Sequence, residues 1–243
     1  MALWSYRYLL GCGSLFALNM ASLYLALGLA SNRSQVLEAG LINYLWPMLT
    51  LLVSIPILKM RARLLLVPGA LGASLGVFLA TTQNQPVSWQ SFYGNVTQNP
   101  APYLLALTAA MSWAFYSALS RKWAVGADSG AVPLFMLATG IALGLARLFF
   151  PESTSWTGRA AWELLYLAIG PNLAYVFWER AMRKGDMILV VSSSYLTPFV
   201  STVISCLYLG VVAGGKLWAG CALIVGGAVV CKRSIEAKNA NAN

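Results

Sequence analysis

Long apolar stretches separated by short polar segments run through this chain. Eight of them carry few or no charges and approach the ~20 residues that span a bilayer as a helix. They are residues 8–30, 35–58, 64–82, 101–120, 131–150, 164–182, 187–212 and 217–231. The eighth would reach only about 22 Å as a helix, so we expect it either to lie in a thinned region of the membrane or to be extended by flanking Lys216 and Lys232. The pattern predicts an all-α polytopic membrane protein.

Two of these stretches share a pattern that ends in proline. The second contains NYLWP at residues 43–47, and the seventh contains SYLTP at residues 194–198. Proline cannot donate the helical hydrogen bond to the carbonyl four residues earlier, which belongs here to Asn43 or Ser194. We therefore predict a kinked helix at Pro47 and another at Pro198.

The two proline patterns belong to a longer internal repeat with an offset of 151 residues. The offset holds without a gap over three predicted helices, and it matches residues that rarely coincide by chance. The matched pairs are Tyr24 with Tyr175, Tyr44 with Tyr195, Pro47 with Pro198, Gly69 with Gly220 and Gly76 with Gly227. The matched helices are five apart, and this odd number inverts one copy in the membrane. Inverted repeats are typical of transporters, with the substrate site near the midplane.

The repeat predicts how the chain is divided. Residues 1–82 form an incomplete first repeat of three helices, and residues 83–100 form an outward loop. Residues 101–232 form the second repeat of five helices, and residues 233–243 form a disordered cytoplasmic tail. Because the second repeat has two helices without counterparts, we expect an inverted-repeat transporter bundle of ten spans, of which eight are present in this chain.

Composition and charge narrow the function. The chain is 59% hydrophobic and 9% charged, it lacks histidine, and its net charge is +9. The basic residues flank the apolar stretches, twelve on one side and four on the other, which places both ends in the cytoplasm and argues against nucleic acid as a partner. We find no enzyme motif, cofactor motif or metal-binding cluster in the sequence. A lipid bilayer and a small molecule are the expected partners, and a monomer is slightly favoured.

Three segments carry a resemblance to a known family: EAGLINYLWP at residues 38–47, SWAFY at 112–116 and SSYLTP at 193–198. They resemble the drug/metabolite transporter superfamily of the EamA type, and most closely its aromatic amino acid exporters. The resemblance covers residues 8–231. It implies a secondary transporter that exports aromatic amino acids across the bacterial inner membrane by alternating access. An exporter of another small metabolite or a drug cation on the same scaffold is the alternative.

Aromatic and polar side chains near the membrane midplane are candidates for the walls of a substrate cavity, because lipid offers them no partners. The candidates are Tyr24, Asn43, Tyr44, Trp46, Trp113, Tyr116, Tyr175, Ser194 and Tyr195. The alternative for each is a packing contact between helices, and for the serine a bond to its own helix. Tyr44 and Trp46 are about 200° apart on an ideal helix, so only the kink would let them share a face.

Glu38 is the acid within the second apolar stretch. It could carry a coupling proton or pair with a substrate ammonium, and the alternative is a wetted residue paired with Arg33. Glu179 and Arg183 have the spacing of a structural ion pair. Two pairs of glycines, Gly72 with Gly76 and Gly140 with Gly144, predict close contacts between helices.

Overall fold

The computed structural model describes residues 4–82, 89–124, 130–149, 157–209 and 214–236. A π-helical turn at Arg7–Cys12 leads into the first α-helix. The helices are α1 (Gly13–Gly28), α2 (Arg33–Asn43), α3 (Trp46–Leu58), α4 (Leu66–Thr81), α5 (Trp89–Gln98), α6 (Ala101–Trp123), α7 (Val132–Phe149), α8 (Gly158–Lys184), α9 (Met187–Ser194), α10 (Leu196–Leu209) and α11 (Gly215–Ser234). Two short strands, β1 (Arg61–Ala62) and β2 (Ile235–Glu236), pair antiparallel. The all-α prediction is confirmed apart from this strand pair.

Four helical segments of the described chain are long and apolar enough to cross a membrane. They are Arg7–Gly28, Arg33–Leu58, Ala101–Trp123 and Val132–Phe149, and two shorter apolar helices are Leu66–Thr81 and Gly215–Cys231. The sixth predicted span lies within α8, which starts six residues earlier and is 27 residues long. The end of the seventh predicted span, residues 210–212, lies outside the described residues. The predicted number of eight spans stays a prediction.

The two helices that the sequence predicts to be kinked, at Pro47 and at Pro198, are each interrupted within one turn before that proline. The first breaks at Tyr44 and Leu45, between α2 and α3, and the second breaks at Tyr195, between α9 and α10. At the first break, the Leu45 N–H donates to the Ile42 carbonyl at 3.0 Å, a tighter turn than the α-helix uses. Each break leaves a tyrosine at the junction of two short helices.

The middle of the bundle is α6, which contacts α1, α2, α3 and α8. Its buried face consists largely of small residues, including Ala106, Ala109, Ala110, Ala114 and Ala118. Small side chains let neighbouring helices approach closely. This close approach brings the aromatic residues of α1, α3 and α8 around the middle of α6.

Helices α4 and α11 pack through their glycines. A methyl group added at Gly76 would lie 2.6 Å from the carbonyl oxygen of Gly220, and one added at Gly227 would lie 2.5 Å from that of Gly69. Gly76 therefore makes the close contact that the sequence predicts for it. Gly72 does not, and neither do Gly140 and Gly144: an added methyl group there meets nothing within 4 Å among the described residues.

The structure differs from the predicted segments in three places. Helix α11 is 20 residues long and not 15, so it reaches about 30 Å and includes Lys216 and Lys232. The first two residues of the predicted disordered tail end this helix, and the next two form β2, because the backbone at Arg61–Ala62 supplies hydrogen-bond partners. The rest of the predicted tail, residues 237–243, lies outside the described residues. The predicted outward loop contains helix α5 at Trp89–Gln98.

Candidate functional site

The two helix breaks face each other across a small cavity, which we call the kink cavity. Its volume is about 20 Å³. Its lining comes from both breaks and from α4: Tyr44, Trp46, Pro47, Val77, Ser194, Tyr195 and Thr197. The kinked segments of the second and seventh predicted spans are therefore neighbours in space.

A larger cavity of about 140 Å³ lies next to it, and we call it the aromatic cavity. Five helices contribute to its walls. The lining residues are Asn19, Leu23, Asn43, Trp46, Trp113 and Tyr175. Trp46 lines both cavities, so its indole separates them.

Aromatic rings surround the aromatic cavity in edge-to-face and tilted contacts. The ring of Trp46 lies 5.0 Å from that of Trp178 and 6.2 Å from that of Trp113, measured between centroids. Trp113 also lies 5.3 Å from Tyr175, and Phe16 lies 5.5 Å from Tyr175. Such pairs add about 0.5–1.5 kcal/mol each beyond area burial. The arrangement offers an aromatic ligand the edges and faces of several rings at once.

Several polar groups around these cavities have no hydrogen-bond partner among the described residues. The indole N–H of Trp113 and the hydroxyl groups of Tyr195 and Tyr116 are buried without one. By contrast, the amide of Asn19 donates to the Ala109 carbonyl at 2.8 Å, and the indole of Trp178 donates to the Ser117 hydroxyl at 3.2 Å. Buried polar groups in native proteins are nearly always paired, so unpaired ones at a cavity are candidates for ligand contacts.

Tyr44 and Trp46 point in different directions, as their spacing on a helix requires. Of the three cavities described here, they share only the kink cavity. Trp46 also lines the aromatic cavity, whereas Tyr44 also lines a third cavity, which is described below. Ser194 lines the kink cavity, but its hydroxyl donates to the Val191 carbonyl of its own helix at 2.6 Å. Ser194 therefore bonds to its own helix, which is the alternative to a cavity role that the sequence offers for this serine.

Two predicted cavity residues lie elsewhere. Tyr24 is 59% exposed and lines none of these three cavities. It is two positions from buried Ser22 and Ala26, which places it on the opposite side of α1. Tyr116 is buried behind the aromatic cavity, where its ring lies 5.6 Å from that of Phe16. The side chain of Pro198 is not among those that the structure describes.

The third cavity is the largest of the three, at about 360 Å³, and we call it the acidic cavity. It lies between α2, α4 and α5. Its lining is Glu38, Leu41, Ile42, Tyr44, Leu45, Ser74, Val77, Phe78, Trp89 and Phe92. Glu38 is only 2% exposed, and its carboxylate accepts hydrogen bonds from Ser91, Asn95 and Tyr103. The prediction of a wetted residue paired with Arg33 is therefore wrong.

Sequence reasoning missed several residues of these sites. Phe16 and Asn19 adjoin the aromatic cavity and were not predicted, although Asn19 is the amide in the middle of an apolar helix. Trp178, which the sequence does offer as a candidate, follows Tyr175 by three positions on one face and contacts the ring of Trp113.

Outside the three cavities, Glu179, which the sequence assigns to a structural ion pair with Arg183, is buried and accepts a hydrogen bond from the hydroxyl of Tyr8. That hydroxyl also accepts from the Ala131 N–H at 2.9 Å, so it joins three parts of the chain.

A family model described as the EamA-like transporter family matches residues 101–232, which is more than half of the chain. The chain belongs to this family. The resemblance inferred from residues 38–47, 112–116 and 193–198 is therefore confirmed. Since the family is one of transporters, this membership agrees with the expectation that the chain is not an enzyme.

Three relatives carry the name aromatic amino acid exporter YddG. The Escherichia coli K12 protein is 29% identical over 225 residues, which are 92% of this chain and 76% of that protein. The Salmonella typhimurium 14028s protein is 30% identical over 93% of this chain and 76% of its own length. The Ancylobacter novellus protein is 33% identical over 79% of this chain and 66% of its own length.

The fold also matches a protein of known crystal structure. The TM-score is 0.75 at 32% sequence identity, and the match covers 92% of this chain and 74% of the other. The described helices therefore have the arrangement of an experimentally determined structure over most of the chain.

Proposed function

We propose that this protein is a secondary transporter that exports aromatic amino acids across the bacterial inner membrane. The observation that carries the proposal is the aromatic cavity. Rings of Trp46, Trp113 and Tyr175 surround it, and the polar groups next to them include an unpaired indole N–H. The names of three relatives, each an aromatic amino acid exporter, support the substrate class.

In this proposal the substrate ring packs edge-to-face against Trp46 and Trp113. The side chain of Asn43, which lines the same cavity, receives the polar end of the amino acid. An amide suits both ends of a zwitterion, because its carbonyl accepts from the ammonium and its NH₂ donates to the carboxylate. None of the described residues that line the aromatic cavity is charged, so this lining does not favour the ammonium over the carboxylate or the reverse.

The transport mechanism in this proposal is alternating access between two inverted repeats. The glycine contacts support the repeat. The offset of 151 matches Gly69 with Gly220 and Gly76 with Gly227, so the Gly69–Gly227 contact and the Gly220–Gly76 contact are equivalent, as a two-fold axis between α4 and α11 requires. The facing breaks at Tyr44 and Tyr195 support it as well, because they are matched by the same offset. Rocking of one repeat against the other would open the central cavities to one side at a time.

The orientation in this proposal follows the basic residues. Both ends of the chain lie in the cytoplasm, and the segment that contains α5 faces outward. Helix α6 carries Arg121 and Lys122 in its last turn, which supports a cytoplasmic position for that end of the central helix. Substrate would then leave on the side of the acidic cavity.

The test of this function is flux of radiolabelled tryptophan in proteoliposomes that contain the purified protein. We expect saturable tryptophan flux that excess phenylalanine and tyrosine inhibit and that excess leucine or a drug cation does not. Empty liposomes provide the background. Flux of a drug cation without flux of tryptophan would assign the alternative substrate class, and no tryptophan flux above background would contradict the proposal.

A further inference from the structure

The acidic cavity contains a buried carboxylate without a positive partner among the residues that the structure describes. The three described hydrogen-bond donors to Glu38 are neutral: Ser91 Oγ at 3.3 Å, Asn95 Nδ2 at 3.1 Å and the Tyr103 hydroxyl. None of the described residues that line the cavity is a lysine or an arginine. A carboxylate removed from water is costly unless a positive charge or several strong hydrogen bonds compensate for it.

The carboxylate also keeps capacity for another donor. Among the described residues, its Oε2 atom accepts from Asn95 and Tyr103, whereas Oε1 accepts only the longer bond from Ser91. A carboxylate has about four acceptor positions, so Oε1 can accept a further strong hydrogen bond. Because Glu38 belongs to the cavity lining, that bond can come from a ligand in the cavity.

The walls of the acidic cavity are aromatic and aliphatic. Trp89, Phe92 and Phe78 contribute rings, and the ring of Phe92 lies 5.4 Å from that of Tyr103, which bonds Glu38. Aromatic faces attract a cation in addition to packing against a ring. The cavity volume of about 360 Å³ lies within the range of small-molecule sites, which are mostly apolar with a few placed polar groups.

The charge of the lining discriminates between an amine and an amino acid. The ammonium group of either ligand can donate to Glu38. The carboxylate of an amino acid would enter the same apolar space beside a like charge and without a positive group in the described lining. An amine that lacks the carboxylate avoids both the repulsion from Glu38 and the burial of a second unpaired negative charge.

We propose that the acidic cavity is a second binding site, which takes small aromatic amines with their ammonium group on Glu38. The aromatic ring then lies among Trp89, Phe92 and Phe78. Helix α5 forms one wall, and hydrogen bonds from Gln35 to the Asn99 carbonyl at 2.8 Å and from Asn32 to Asn95 at 3.1 Å hold its end against α2. This site is separate from the aromatic cavity, and the proposal does not depend on the export of amino acids.

The experiment measures equilibrium binding of radiolabelled tryptamine to the full chain in nanodiscs of phosphatidylcholine and phosphatidylglycerol. We expect saturable binding that phenethylamine displaces. Indole-3-propionate, which has the ring and a carboxylate but no amine, should not displace tryptamine at a 100-fold excess, and tryptophan should compete at least about tenfold more weakly than tryptamine. The readout is binding without flux, so a failure of tryptophan export leaves this test intact.

Two variants and one control locate the site. Glu38→Gln keeps the size of the side chain and removes the charge, and we expect tryptamine to bind at least about 30-fold more weakly. Leu41→Trp fills the cavity while it keeps Glu38, so it should also abolish binding, and it decides the question if Glu38→Gln does not fold. Tyr93→Phe, at an exposed position on α5, should bind tryptamine as the unchanged protein does.

Four results would overturn the proposal, three from the binding assay and one from a change of lipid. The first three are the absence of saturable tryptamine binding, equal displacement by indole-3-propionate, and unchanged affinity in folded Glu38→Gln. Displacement of tryptamine when phosphatidylethanolamine replaces phosphatidylcholine would show that a lipid ammonium occupies the cavity, and it would overturn the assignment to small amines.

Discussion

Trp46 connects the two central cavities at the scale of single residues. It lines the kink cavity and the aromatic cavity, and its ring contacts those of Trp113 and Trp178. Tyr44, two positions earlier, turns to the acidic cavity instead. One helix break therefore supplies side chains to three cavities, which a continuous helix with one buried stripe would not do.

Asn43→Ala tests whether the amide contacts the substrate. The side chain lines the aromatic cavity, so its removal should weaken tryptophan flux by about 10- to 100-fold, the cost of a hydrogen bond to a charged group. Asn19→Ala is the contrasting variant, because the Asn19 amide is already bonded to the Ala109 carbonyl and supports packing. We expect the unfolding midpoint to fall in Asn19→Ala and to stay unchanged in Asn43→Ala. Full flux in Asn43→Ala would exclude the contact.

Tyr8→Phe tests the buried bond between Tyr8 and Glu179. The substitution removes a donor to a buried carboxylate and an acceptor for the Ala131 N–H, which should cost about 1–3 kcal/mol of unfolding free energy. Tyr6→Phe, at an exposed position two residues earlier, is the matched control and should cost nothing measurable. Thermal unfolding in detergent compares the two. Equal stability of both variants would show that the bond contributes little.

Sequence reasoning at this scale finds residue types but not the faces on which they lie. Aromatic and amide groups in mid-membrane stretches are visible as candidates, and Trp113, Tyr175 and Asn43 do line one cavity. Tyr24 is of the same type but lies on the exposed side of α1. Phenylalanine is common in apolar helices, so nothing in the sequence distinguishes Phe16, whose contacts depend on how α1 packs against α6.

Paired contacts between glycines organise the elements. In α4 and α11 the backbones approach so closely that a methyl group at Gly76 would lie 2.6 Å from the Gly220 carbonyl oxygen. The same holds at Gly220, where an added methyl group would lie 2.6 Å from the Gly76 carbonyl oxygen. This reciprocity is what a two-fold relation between the two helices requires.

Gly76→Ala should therefore destabilise the protein by about 1–3 kcal/mol, the usual cost of overpacking. Gly72→Ala, one turn earlier in the same helix, meets no described atom within 4 Å and should cost no stability. The measurement is the unfolding midpoint of each variant in the same detergent. If both variants have the same unfolding midpoint as the unchanged protein, the close packing of α4 against α11 is not required for stability.

The proline and glycine positions could be interpreted from the sequence because their effects are local. A missing N–H and a missing Cβ act on the same helix or on its immediate neighbour. The end of α11 could not be predicted in this way. It depends on a partner distant in sequence, because the Ser234 carbonyl accepts from the Arg63 N–H at 2.7 Å.

At the scale of the whole molecule, the orientation follows from charge and can be tested directly. Thr97→Cys, exposed on α5, should react with a membrane-impermeant maleimide in intact cells. Lys122→Cys, exposed at the other end of the molecule, should react only after the membrane is permeabilised. The unchanged protein, which has four native cysteines, measures the background. The reverse labelling pattern would show that the chain is inserted the other way.

The central claim is that the aromatic cavity binds the exported amino acid, and tryptophan flux in Trp46 variants tests it most directly. Trp46→Ala removes two ring contacts, so flux in proteoliposomes should fall at least about tenfold, whereas Trp46→Phe keeps a ring and should retain most of the flux. Trp162→Ala, on the exposed face of α8, should transport like the unchanged protein. Unchanged flux in folded Trp46→Ala would contradict the account.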